Sequence, residues 1–132
     1  MATIANQTRT SHLFLAGVVG IAAASVATAA VAAVGHAAGI SLDVSGAPIP
    51  ILGFSTTTAM FSFVGLVLAA VLARTVRRAR QVFVRTTVVL TALSWIPDLL
   101  ADAAPATKAL LMFTHLVAAA IVIPTIARRL PA

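Results

Sequence analysis

The sequence predicts an all-α membrane protein: an antiparallel bundle of four transmembrane helices with both termini in the cytoplasm. Three observations point there. Of 132 residues, 61% are hydrophobic and only 9% are charged, against about 25% charged in an ordinary soluble domain. The apolar residues fall into four runs, each near the ~20 residues that cross ~30 Å of hydrocarbon. The basic residues gather between these runs or at their ends.

The whole chain reads as one domain, residues 1–132. Met1 to Thr10 is polar with a single charge, Arg9. The first span runs from about Leu13 to Ala38 and meets no ionisable group before His36. Its "ATAAVAA" stretch offers small residues of the kind found at signal cleavage sites, but the run is longer than the ~7–15 residues of a signal core, so it reads as a helix. Gly17, Gly20, Ala24, Ser25 and Thr28 suit close helix packing in lipid. The segment "GISLDVSGAPIPILG" then breaks the pattern with glycines and prolines, and reads as a loop with room for a short re-entrant or interfacial turn.

The second span runs from about Phe54 to Ala73, opening with Ser55, Thr56, Thr57 and Thr58. "RTVRRARQVFVR" follows, with five arginines in twelve residues, too basic for hydrocarbon. The third span covers about Val82 to Ala101, "ADAAPATK" turns the chain, and the fourth covers about Lys108 to Ala127 before "ARRLPA". Short connections make consecutive spans antiparallel neighbours.

Charge sets the orientation. Arg9, the five arginines and Arg128 with Arg129 fall on one side, and Lys108 stands alone on the other. The positive-inside rule puts the arginine side in the cytoplasm, as in a multi-pass protein of a bacterial inner membrane. The net charge of +6 therefore belongs to topology and to anionic lipid headgroups, and nucleic acid is not an expected partner. Membrane lipids are, with an apolar small molecule and a second copy of the chain both open. With no cysteine in the sequence, disulfides, thiolate metal sites and covalent c-type haem attachment are excluded. No cofactor and no metal is expected, because the scattered His and Asp residues show no ligand motif.

Polarity inside the spans is uneven. Asp43, Asp98 and Asp102, together with His36 and Trp95, lie toward the outer side, at the level of Ser55–Thr58 and near His115. Ionisable groups at membrane depth are expensive and mark functional sites by default. Asp98 and Asp102 are four apart and share a face if the helix continues that far. Asp98 and His115 sit at comparable depths on antiparallel neighbours. The candidate catalytic set is thus Asp98, His115 and Asp102, with Trp95, Ser55, Thr58, Asp43 and His36 as candidate substrate contacts. Pro97 frees a backbone carbonyl and permits a kink beside Asp98. His115 is open to three roles: acid–base group, haem or metal ligand, or polar clasp between helices.

The segments "SWIPDLL" and "MFTHLVAAAIVIPTIARRL", after a first span ending in "HAAGISL", resemble a family of small four-span membrane proteins from actinobacteria whose function is unknown. The resemblance implies that Pro97, Asp98 and His115 act as a unit and supplies no reaction. The chain departs from the small multidrug transporters of similar size, which carry a glutamate in the middle of their first helix. Function remains open between three classes. One is an acid–base enzyme (isomerase, cyclase or epoxide-opening hydrolase) on an apolar or lipid-like molecule. The others are a structural or assembly protein, and a proton-coupled transporter or channel subunit.

Overall fold

The computed structural model describes residues 1–132 as four helices, α1 (Ala2–Ala37), α2 (Ile51–Thr75), α3 (Ala79–Leu100) and α4 (Pro105–Ala127). A small hairpin, β1 (Asp43–Val44) with β2 (Ala47–Pro48), lies between α1 and α2. All four helices are long and apolar enough to cross a membrane. Only 22 residues are buried, and large side chains such as Phe61, Phe63, Val88 and Leu93 face outward. A soluble monomer rarely exposes so continuous an apolar surface.

The first helix starts about ten residues before the apolar span it contains. Nothing in residues 2–12 breaks a helix, and three hydroxyls bond back to carbonyls one turn earlier: Thr8 to Ile4, Thr10 to Asn6 and Ser11 to Gln7. Hydropathy locates where hydrocarbon begins, and the backbone ladder extends beyond it. At the other end α1 stops in a Schellman motif. Gly39 takes φ +91, its N–H donates to the His36 carbonyl, and the Ile40 N–H donates to Gly35. Glycine meets this left-handed position without a Cβ penalty.

The expected loop after α1 contains the hairpin, with Ser45 and Gly46 at positive φ (54 and 79) in its two-residue turn. That pairing of signs is a type I′ turn, whose twist suits adjoining strands. The hairpin is anchored: the Ser45 N–H donates to the Asp102 carbonyl at 2.8 Å, and the Thr107 hydroxyl to Ser41 at 2.6 Å. Thr107 is 1% exposed. The fourth helix begins at Pro105, three residues before Lys108, because proline at the first helical position gives up a donor that would be unpaired there anyway.

Neighbours in sequence are neighbours in space, and α1 closes the ring against α4, with α2 and α4 meeting across the shorter diagonal. One face of α1 carries the core contact: Leu13, Gly17, Gly20, Ala24, Thr28, Ala32 and Gly35 are buried at three- and four-residue spacing. A Cβ on Gly17 would run into the Leu66 side chain of α2, and one on Gly35 would come within 2.9 Å of Leu110 on α4. Two apolar clusters result, one around Leu66, Phe83 and Ile126, the other around Ala32, Leu42, Phe54 and Leu110. In α1 the buried Thr28 falls between the Ala24 and Ala32 that belong to these clusters.

Candidate functional site

The third helix ends at Leu100, where Ala101 turns to ψ 145. Asp98 therefore sits in the last turn of α3, while Asp102 is in the connecting turn and exposed. The expectation that both carboxylates share a helical face is corrected on this point: the helix stops before reaching Asp102. Lys108 from α4 caps the end, its Nζ donating to the Leu99 carbonyl at 2.8 Å. A cation suits the negative end of the helix dipole.

Asp98 is 9% exposed, one of three buried residues in α3. Its Oδ2 lies 2.9 Å from Nδ1 of His115. His115 is ten residues into α4, about 15 Å along the axis at 1.5 Å per residue. The two ends meet because side chains lean toward the start of their own helix. On antiparallel neighbours those leanings are opposed, so Asp98 reaches down and His115 reaches up.

The hydrogen on His115 follows from its surroundings. Nδ1 is also 2.9 Å from the Leu111 carbonyl, one turn earlier. A carbonyl oxygen only accepts, so that contact requires an N–H at Nδ1, whatever the charge on Asp98. In the neutral ring this assignment leaves the lone pair on Nε2. Asp98 Oδ2 is enclosed and accepts no aligned hydrogen bond, since the ring N–H is directed to Leu111 and the carboxylate oxygen lies beside that line. The contact between the Asp98 carboxylate and the His115 imidazole is thus chiefly electrostatic. The His115 side chain is 39% exposed, against 12% for Asp98, so the pair has a closed carboxylate end and an open imidazole end.

Pro97 lies one residue before Asp98 inside α3. It cannot donate to the Leu93 carbonyl, which leaves that group without its usual helical partner. The nearby Ser94 hydroxyl donates to the Thr91 carbonyl at 2.6 Å. Trp95 is half-buried, three residues before Asp98, and its indole N–H is enclosed without an acceptor.

The remaining candidates lie in other places. Ser55 donates to the Ser25 carbonyl at 2.9 Å, and Thr58 shares a 2.9 Å hydroxyl contact with Thr28. Both bind α2 to α1, and neither hydrogen-bonds to Asp98 or His115. His36 and Asp43 are exposed and line an open groove of about 510 Å³ with Ser41, Pro48 and Ile51. No three His, Cys, Asp or Glu side chains converge on a point where they could hold a metal ion.

Sequence reasoning missed three anchoring side chains. Thr107 and Lys108, described above, hold the hairpin and the end of α3. Arg80, read as part of a topology signal, donates through Nε to the Ala127 carbonyl and through Nη2 to Leu130, both at 3.0 Å. Its fork closes the free carbonyls at the end of α4, and Leu130 is 2% exposed beneath it. The signal available in the sequence was the helix end itself, which always leaves carbonyls wanting donors.

Comparison with known proteins matches residues 8–132 to a family of unknown function (DUF6069). No curated protein and no solved structure matches the chain.

Proposed function

We propose that this chain, which belongs to the DUF6069 family of unknown function, is a multi-pass membrane protein whose Asp98–His115 pair performs acid–base chemistry on an apolar or lipid-like molecule. The positive-inside rule puts both termini in the cytoplasm and the pair in the outer half of the bilayer. One observation carries the chemical reading: Nδ1 faces two oxygens at 2.9 Å, Asp98 Oδ2 and the Leu111 carbonyl, while the ring is 39% exposed. A histidine whose Nδ1–H is held by a carbonyl presents Nε2 as a base, and a carboxylate beside it stabilises the imidazolium formed when Nε2 takes a proton.

The reaction classes that follow are isomerisation, cyclisation and epoxide opening. In the first two, the proton taken by Nε2 returns to another atom of the same molecule, so no co-reactant is consumed. In the third, Nε2 takes a proton from water as its oxygen attacks the epoxide carbon, and the opened alkoxide recovers that proton. On this reading access is lateral, from the bilayer, to an imidazole side chain that is 39% exposed. Asp102 does not join this pair, and His36 and Asp43 belong to a separate groove.

A second reading has an observation of its own: the contact joins α3 to α4, so the pair could serve packing alone, as the Ser55 and Thr58 bonds to α1 do. A proton-coupled transporter is less favoured, since the core beyond the pair is the apolar cluster around Leu66, Phe83 and Ile126. Purified protein in nanodiscs, incubated with a total bacterial lipid extract, separates the readings. Chromatography with mass detection should reveal a lipid converted to an isobaric or hydrated product by the native chain and not by His115→Gln. Equal profiles for the two proteins would leave the packing reading in place.

A further inference from the structure

The open end of the pair has a defined hydrogen-bonding sense. The N–H at Nδ1 is committed to the Leu111 carbonyl and to the field of Asp98. Nε2 of the neutral ring is therefore an acceptor with no donor beside it. The structure gives His115 no hydrogen bond other than that to Leu111. Its partner atom Asp98 Oδ2 also has no aligned donor. The side chain is 39% exposed, and an acceptor open to hydrocarbon would lack the water that satisfies it on a soluble surface.

From this we infer that the molecule taken by the Asp98–His115 site is an apolar alcohol, whose hydroxyl donates its hydrogen to His115 Nε2 while its chain lies along the α3–α4 face. The inference rests on the acid–base reading above and narrows it. Carbonyl compounds and ethers present only acceptors, and two acceptors facing each other repel; a hydroxyl supplies the missing donor. The lateral surface matches the rest of such a molecule. Leu111 and Met112 stand one turn before His115 on the same face of α4, and Trp95 stands one turn before Asp98 on α3, all three apolar and half-buried. The hydroxyl group can come from a free long-chain alcohol or from a glycerolipid with an unesterified position, and both present the same chemistry.

The chain has three histidines, so nitrogen NMR can read His115 directly. The protein is prepared with ¹⁵N-histidine in nanodiscs, with His12→Gln and His36→Gln removing the other two signals. The probes are 1-hexadecanol, its methyl ether, and a diacylglycerol. Without a probe, Nε2 should resonate as a bare imidazole lone pair and Nδ1 as a protonated nitrogen. Hexadecanol should move Nε2 toward the hydrogen-bonded position and bind about tenfold more tightly than the ether, a factor worth ~1.4 kcal/mol and the size of one hydrogen bond. A similar shift with diacylglycerol would assign the hydroxyl to a bilayer lipid, and its absence would assign it to a free alcohol; either supports the inference. Equal response to alcohol and ether, or none to any probe, overturns it while leaving the acid–base pair intact. A protonated Nε2 in the protein alone overturns both, because the base would then be missing.

Discussion

Asp98 and His115 touch at 2.9 Å although one lies in the last turn of α3 and the other ten residues inside α4. The opposed lean of side chains on antiparallel helices brings them together, and the same geometry leaves the imidazole open toward the surface. The pair therefore depends on the α3–α4 register, across which Lys108 on α4 donates to the Leu99 carbonyl at the end of α3.

The small-residue stripe of α1 gives the clearest stability prediction. Gly17→Ala should lower stability in detergent by about 1–3 kcal/mol, the range for overpacking a filled site, because its new methyl collides with Leu66, itself 1% exposed. Gly65→Ala meets nothing within 4 Å and should be neutral or slightly stabilising through helix propensity. Denaturation midpoints of the two variants, measured side by side, check this.

The hydroxyl bonds between α1 and α2 should matter little energetically and not at all chemically. Thr28→Val removes the 2.9 Å contact with Thr58, and interhelical hydrogen bonds of this kind average about 0.6 kcal/mol. The variant should keep native substrate conversion. A loss of conversion at unchanged stability would extend the functional site into this layer.

Arg80 and Arg77 should behave differently despite standing in the same basic segment. Arg80→Lys gives up a fork that spans the Ala127 and Leu130 carbonyls, which a single ammonium cannot reproduce. Hydrogen exchange of the amides in residues 128–132 should rise in Arg80→Lys and stay unchanged in Arg77→Lys.

Orientation is checked by labelling, and the absence of native cysteine keeps the background clean. Ala47→Cys and Ala106→Cys, both at exposed positions, should react with an impermeant thiol reagent on intact cells, and Gln81→Cys should not. The reverse pattern would turn the bundle over and move the pair to the inner leaflet.

Much of the architecture was legible because hydrocarbon imposes simple rules on sequence. Four apolar runs separated by arginines and prolines leave little choice of helix number, and the glycines of α1 announce its packed face. Boundaries were less legible. Hydropathy says where lipid begins, so it missed the polar first turns of α1, and the Ser45–Gly46 turn was passed over although two such residues between short strands are a known hairpin signal. For the site, depth on adjacent helices suggested Asp98 with His115. Depth could not exclude Asp102, Ser55 or Thr58, because it carries no information about which way a side chain faces around the helix or where α3 ends.

The most direct test of the acid–base account is lipid conversion by Asp98→Asn in the same nanodiscs as the native protein. Asparagine keeps the shape of the carboxylate and can still bond across the helices, but it supplies no negative charge to the imidazolium. The account predicts a rate at least about a hundredfold lower, the lower end of what acid–base groups contribute, with a denaturation midpoint close to native. Native conversion by Asp98→Asn would contradict it and reduce the pair to a clasp between α3 and α4.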